Sequence, residues 1–244
     1  MATAEIHRAE EVMPDEMHHE HDALVPTYVW DLVVRITHWA IVLSMILLAI
    51  TGIYIGNPWG SSSSGPAGAH FVMGWVRVLH FYGAIVFALA VLSRIAWAFI
   101  GPRRSGWRQF VPTSRRRLRD MVSTFQFYSL IRTKPPACKG HNPLAGFFYM
   151  LVFGLYLVMI VTGLALYSVD SFSHMRWFQW LLPLFHGAQG ARLIHHVTMW
   201  LLIGFVVQHV YSAMLTARVE KNGTMDSMFS GYKFLPKDLP DDDD

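Results

Sequence analysis

The chain has a single cysteine, Cys138, in 244 residues. One thiol excludes an intrachain disulfide, a four-cysteine iron–sulfur cluster and the covalent C-x-x-C-H attachment of a c-type haem. Charge is also scarce, with Asp, Glu, Lys and Arg at 15% of residues against 53% hydrophobic. That balance is the signature of an integral membrane protein rather than of a soluble domain. The first 25 residues contain no apolar core, so no cleavable signal peptide is expected and the first hydrophobic helix serves as the insertion signal. Acidic, His-rich and poor in apolar residues, segment 1–27 reads as a disordered tail. His18, His19 and His21 in that tail read as solvated side chains, and the terminal DDDD takes no part in the fold.

Long apolar runs are present, at roughly 33–56, 74–100, 144–168 and 193–216. Each reaches the ~20 residues that a helix needs to cross a ~30 Å hydrocarbon core. Backbone groups in lipid must be paired within the segment, so the runs are expected to be helices. The expected fold is an all-α integral membrane protein, a four-helix transmembrane bundle over 28–217 followed by a cytoplasmic tail over 218–244.

Basic residues set its orientation, because Lys and Arg in short loops stay on the cytoplasmic side. The loop 57–73 has none and 169–192 has only Arg176 and Arg192, whereas 101–143 carries ten, from Arg103 to Lys139. Both termini and the basic loop are therefore expected in the cytoplasm of a bacterial inner-membrane protein. Inside that loop Leu118, Met121, Val122, Phe125 and Tyr128 recur at helical spacing after Pro112 and Thr113. They predict a cytoplasmic amphipathic helix from Arg115 to about Ile131 lying on the membrane surface. Arg115 to Arg117 are expected to touch lipid headgroups, and nucleic-acid binding is not needed to explain them.

Of 13 histidines, His38, His80, His195, His196 and His209 fall inside the apolar helices. Ionisable groups at membrane depth are costly and mark functional sites. Topology puts His38 and His209 near the cytoplasmic side and His80 and His195 near the periplasmic side. His195 and His209 are 14 residues apart, which at ~100° per residue returns to within ~40° of one direction with a rise of ~21 Å. From His196 the direction differs by about 140°, so His195 is the expected ligand and His196 its neighbour. Two imidazoles from facing helices at each of two depths, without cysteine, fit bis-His haem best. Zinc competes, although structural zinc usually takes four ligands.

Other residues agree with two haems while having plainer explanations. Gly52 lies 14 residues after His38, where a missing side chain would admit a porphyrin or simply let helices pack. Arg94, 14 residues after His80, faces the cytoplasmic pair and could bind propionates or snorkel to the interface. Arg35 and Arg77, each three residues before a candidate ligand, invite the same two readings. Trp39, Trp75, Trp97 and Trp200 read as interfacial anchors.

A resemblance then enters on RITHW from Arg35, Thr51-Gly52 through Gly56, FVMGWVRVLHF from Phe71, GHNPLAG from Gly140, HHVTMW from His195, HVYSA from His209 and SGYK from Ser230. In this order, over roughly 30–235, the chain resembles the b-type cytochrome subunit of membrane-bound nickel–iron (NiFe) hydrogenases. The resemblance implies two non-covalent b haems, with His38, His80, His195 and His209 at the ligand positions. It also implies partners: the hydrogenase small iron–sulfur subunit and the large nickel–iron subunit on the periplasmic face, within a larger oligomeric complex.

The implied function is to carry electrons from hydrogen oxidation across the membrane to quinone, in a chain with no hydrogen-activating site of its own. His141 and Asn142 are candidate quinone contacts, with helix capping by Asn142 before Pro143 as the alternative. His174 and His186 lie in the periplasmic loop as surface residues or hydrogenase contacts. The competing readings are the cytochrome b subunit of a formate dehydrogenase-like complex, a His-lined membrane metal transporter and a purely structural anchor.

Overall fold

The computed structural model describes residues 24–59, 71–102, 105–107, 110, 115–134, 143–169 and 176–237. Its four long helices are α1 (Leu32–Gly56), α2 (Val72–Ile100), α4 (Pro143–Tyr167) and α5 (Ala188–Glu220), and a shorter α3 (Arg115–Tyr128) precedes α4. All four long helices are apolar and long enough to cross a membrane. At 1.5 Å per residue even the 25 residues of α1 span more than ~30 Å. The helices start within about two residues of the expected positions except α5, which begins five residues earlier than the expected 193.

The bundle is inside out relative to a soluble protein. Its mid-height core gathers Ile41 of α1, Phe87, Ala90 and Val91 of α2, Val152 and Tyr156 of α4, and Leu202 of α5. Val91 is completely buried, and Phe87 meets Tyr156 edge-on with ring centres 5.1 Å apart. Outward, Leu43, Ile46, Ile50, Leu89, Leu201 and Val207 are exposed. A belt of large apolar side chains covering a whole bundle belongs in hydrocarbon rather than in water. The chain is a multi-pass membrane protein.

The flanks are better built than the sequence suggests. Strand β1 (Leu24–Tyr28) pairs antiparallel with β2 (Tyr232–Pro236), Leu24 opposite Pro236 and Tyr28 opposite Tyr232. The expected disordered tail over 1–27 therefore gives way to a strand at Leu24, and the tail after 217 contains α6 (Ser227–Ser230) and β2. The strand's backbone groups are satisfied by a partner some two hundred residues away, which local composition does not reveal. At the turn into β2, Gly231 has φ 88 and its oxygen accepts from the amides of Val29 and Trp30. A Cβ there would stand 2.7 Å from Cε2 of Tyr28 and 2.9 Å from the Trp30 oxygen, so glycine is required.

This C-terminal segment clamps the start of α1. Trp30 Nε1 donates to Ser227 Oγ at 3.0 Å, Trp39 Nε1 to the Met228 carbonyl at 3.1 Å, and Arg35 Nη1 to the Phe229 carbonyl. Val29, Trp30, Val34 and Leu235 form a small buried cluster beneath these bonds. Asp31 caps α1: Oδ1 accepts from the Val34 amide at 3.0 Å, while Oδ2 accepts from Trp97 Nε1 and Ser105 Oγ. Burial alone would raise the Asp31 carboxyl, but the hydrogen bonds from Ser105, Trp97 and Val34 prevail and hold it below the usual carboxylate range. Trp39 and Trp97, expected as interfacial anchors, are thus tied to protein partners, whereas Trp75 and Trp200 are exposed.

Helix α3 has two faces. Thr124, Phe127 and Arg117 are buried, and Leu118, Val122 and Phe125 point outward as an exposed apolar stripe. Tyr128 of α3 lies 3.4 Å from Thr216 of α5, hydroxyl to hydroxyl. Burial of Arg117 corrects the expectation that Arg115 to Arg117 share one role at the headgroups: helical rotation turns Arg117 inward and leaves Arg115 exposed. An element not foreseen is the 3₁₀ segment Arg176–Phe185, whose Leu181 packs with Ala165 and Ala191 while Trp177, Trp180 and Leu184 stay exposed.

Candidate functional site

His38 sits on the second turn of α1, directly above the clamped residues Val34 and Arg35, and meets His209 of α5. Their ring centres are 6.4 Å apart with planes inclined by 56°. Two imidazoles sharing one metal at ~2 Å from each nitrogen have ring centres about 6 Å apart. This pair therefore has the separation of two axial ligands rather than of stacked or hydrogen-bonded rings. Aromatic side chains surround it: Trp39 is edge-on to His38 at 5.2 Å, Phe205 stacks on His209 at 5.6 Å, and Tyr149 is edge-on to His209 at 5.7 Å. The Tyr149 hydroxyl reaches His209 Nδ1 at 3.4 Å, a long contact, while His38 Nδ1 is buried with no partner among the described residues.

The second pair is held differently. Thr51 Oγ1 of α1 lies 2.8 Å from His80 Nδ1 of α2, and Thr162 Oγ1 of α4 lies 2.8 Å from His195 Nδ1 of α5. Each threonine is followed by glycine, and each glycine turns its bare side to the same histidine. A Cβ on Gly52 would stand 3.3 Å from His80 Cε1, and one on Gly163 would stand 3.5 Å from His195 Cε1. Gly52 also faces the sulfur of Met199, one turn beyond His195, at 3.7 Å. His80 and this turn of α5 accordingly share one level of the bundle, and Gly52 gives room to the edge of the His80 ring.

The donor set fits a haem. At one level two imidazoles stand at the spacing of a metal's opposite ligands. At the other, each ring's Nδ1 is taken by a hydroxyl, which leaves Nε2 as the free donor. Among the described residues no three His, Cys, Asp or Glu side chains converge on a point that could hold a metal ion by protein ligands alone. A cofactor that supplies its own equatorial nitrogens needs only the two axial ones.

The remaining predicted residues separate. Arg35 is engaged by Phe229 through Nη1, with Nε buried and without a partner among the described residues. Arg94 is buried; its Nη1 donates to the Ser105 carbonyl at 3.4 Å and its guanidinium lies 5.4 Å from the Phe110 ring centre. Its present partners belong to the knot around Asp31. Arg77 and His196 are exposed. A Cβ on Gly56 would lie 2.7 Å from His196 Cε1, so that glycine makes space for the second histidine of the doublet. His186 is exposed, with φ 57, after the 3₁₀ segment. His141, Asn142 and His174 lie outside the described residues.

Thr162 and Tyr149 escaped the sequence reasoning, and Thr51 entered it only within a matching stretch, with no role of its own. A signal was available in the repeated Thr-Gly dipeptide at 51–52 and 162–163, each near the end of an apolar helix that begins a helical hairpin.

Four membrane-crossing helices with histidines paired across the bundle at two levels define the class: a membrane b-type cytochrome. The family model described as prokaryotic cytochrome b561 matches residues 29–231, and the chain belongs to that family. Membership implies haem b as the cofactor. Among its relatives, the "Probable Ni/Fe-hydrogenase B-type cytochrome subunit" of Cupriavidus necator is 36% identical over 213 residues, covering 85% of this chain and 86% of the relative. The "Probable Ni/Fe-hydrogenase 1 B-type cytochrome subunit" of Escherichia coli is 36% identical over 228 residues, covering 89% and 94%. A protein of Azotobacter vinelandii with the same name as the Cupriavidus one is 34% identical over 221 residues, covering 88% and 91%.

Proposed function

We propose that this chain is the membrane cytochrome b subunit of a nickel–iron hydrogenase, and that it carries electrons from hydrogen oxidation across the membrane to quinone. The observation that carries the reading is the pairing of four imidazoles at two depths: His38 with His209, and His80 on the level of His195. The names of the relatives, all of which specify a Ni/Fe hydrogenase, favour this partner over a formate dehydrogenase-like complex.

His38 with His209, and His80 with His195, would each hold one non-covalent haem b, which would supply one-electron chemistry there. The protein's part is to fix the two sites along one axis. From His195 to His209 the rise is ~21 Å, so the two sites bridge most of the hydrocarbon core. The basic loop faces the cytoplasm, which puts His80 and His195 toward the periplasm and the iron–sulfur small subunit of the hydrogenase. Quinone is reduced near the His38/His209 level, with His141 and Asn142 as candidate contacts at the start of α4. The chain lies in a bacterial inner membrane with both termini cytoplasmic, as part of a larger oligomeric complex with both hydrogenase subunits.

The test is hydrogen-dependent reduction of haem in the purified complex. Wild type should show b-type bands from two haems per chain on adding hydrogen. His38→Ala and His80→Ala should each lose a different one. Full reduction of two haems in both variants refutes the ligand set. Absence of b-type bands in the dithionite-reduced wild type refutes the cytochrome reading and favours the transporter.

A further inference from the structure

We propose that the two Thr-Gly dipeptides form a repeated cradle, in which the hydroxyls of Thr51 and Thr162 fix the tautomer of His80 and His195 and thereby tune the reduction potential of the haem between them. The proposal rests on the assignment of His80 and His195 as axial ligands.

The chemistry follows from counting protons. A threonine hydroxyl has one hydrogen to donate and two lone pairs to accept with. Thr51 Oγ1 donates to the Leu47 carbonyl at 2.7 Å, and Thr162 Oγ1 donates to the Val158 carbonyl at 2.7 Å. This is the ordinary use of threonine inside an apolar helix, where the i−4 oxygen is the nearest acceptor. With that hydrogen committed, the same oxygen can only accept from the imidazole 2.8 Å away. His80 and His195 are therefore both Nδ1–H tautomers, and both present an unprotonated Nε2. The opposite tautomer would leave two lone pairs facing each other in hydrocarbon and a proton on the nitrogen meant for iron.

A hydrogen bond accepted from Nδ1–H draws that proton away from the ring and raises its basicity at Nε2. A more electron-rich axial ligand stabilises ferric over ferrous iron, which lowers the potential. Glycine completes the cradle: a Cβ on Gly52 would stand 3.3 Å from His80 Cε1, tighter than ordinary contact, and one on Gly163 would touch His195 Cε1 at 3.5 Å. The arrangement occurs on the first helix of each hairpin, α1 and α4, and acts on the second helix of the same hairpin, α2 and α5. Among the described residues the other level has no equivalent: His38 Nδ1 has no partner there, and His209 Nδ1 has the long contact to Tyr149.

Thr51 and Thr162 are positioning residues, and the experiment reads potential and haem content rather than turnover. In the purified complex, Thr51→Val and Thr162→Val keep the branched shape and delete the hydroxyl; Thr51→Ser and Thr162→Ser keep the hydroxyl. Optical redox titration should show an upward shift of the midpoint of one haem in each Val variant, the same haem in both, with the second haem unmoved. The Ser variants should titrate as wild type. If a Val variant loses haem, retention by the corresponding Ser variant supports the hydroxyl's role. Unchanged midpoints with full haem content in both Val variants overturn the proposal, as does a Ser variant that behaves like its Val counterpart. His80→Ala separates the two levels of inference. If it retains two haems, the ligand assignment itself has failed. If it loses one haem, and the one lost is not the one shifted by Thr51→Val, only the cradle has failed.

Discussion

Replacing Gly52 tests the site where packing and function make opposite demands. In a helix interior, Gly→Ala gains about 1 kcal/mol of helix propensity, so on local grounds Gly52→Ala stabilises α1. The new Cβ, however, would lie 3.3 Å from His80 Cε1, whereas carbon atoms rest at ~3.5–4.0 Å. The ring has to retreat by a few tenths of an ångström. It is pinned 2.8 Å from Thr51 Oγ1, on the residue next to the intruding methyl, so retreat stretches that bond toward the edge of useful geometry. Losing most of a hydrogen bond costs about 1 kcal/mol, equivalent to roughly a fivefold weaker hold on the haem. In Gly52→Val the added γ carbons force the ring out, and one haem of the two is expected to be lost.

Gly56→Ala is the control, and clash distance alone ranks the pair wrongly. Its Cβ would come within 2.7 Å of His196 Cε1, a closer approach than at Gly52, but His196 is exposed and free to swing away. Haem-to-protein ratio by pyridine haemochrome, with a thermal melt of the same samples, checks both sites. The expected order is full haem in Gly56→Ala, weakened retention in Gly52→Ala and one haem in Gly52→Val. Two tightly held haems in Gly52→Val would refute the account of what this glycine makes room for.

The hydrogen bonds at the clamped end give further expectations. Asp31 is held below its ordinary value, so it stabilises the folded chain at pH above the unfolded value and loses that contribution as pH falls through the folded one; Asp31→Asn should lower Tm near neutral pH, with the gap to wild type closing as the pH falls below the ordinary carboxylate range. Trp39→Phe removes the bond to the Met228 carbonyl and should destabilise by about 1 kcal/mol, releasing the His38/His209 haem at lower denaturant than the other. Tyr149→Phe removes the long 3.4 Å contact to His209 Nδ1, so the midpoint of the His38/His209 haem should move less than the Val variants move the other; an equal or larger shift would mean that this hydroxyl closes on His209 in the loaded protein.

What was legible in the sequence is what depends on length and helical period. Apolar runs placed four helices, and the fourteen-residue interval between His195 and His209 singles out the first member of the His195/His196 doublet as the proposed ligand; in the structure Nδ1 of His195 lies on Thr162 and His196 is exposed beside Gly56. Side-chain contacts between the two helices of a hairpin were not legible. A threonine in an apolar helix ordinarily satisfies itself on its own carbonyl, so Thr51 and Thr162 gave no sign of a second bond. The pairing of β1 with β2 was hidden for a related reason, since neither five-residue segment buries enough to announce itself alone. Arg94 shows the limit of a face argument: its direction along α2 suits the cytoplasmic level, but the carbonyl of Ser105 and the ring of Phe110 come from the segment that follows α2 and occupy its guanidinium.

The two levels are therefore supported by different parts of the chain, and this bears on how they respond to damage. His80 and His195 are positioned from inside the bundle by residues of α1 and α4, at bonds of 2.8 Å between neighbouring helices. His38 is positioned from outside it: the residues beside it on α1, Arg35 and Trp39, are tied to the carbonyls of Phe229 and Met228. Those carbonyls belong to a segment stabilised by a two-stranded sheet and a four-residue helix, elements too small to persist unless docked. Local opening free energies follow burial and local contact density, so the flank opens before the transmembrane core. Opening of that flank removes the support of the His38/His209 level while the Thr-Gly level keeps all of its own.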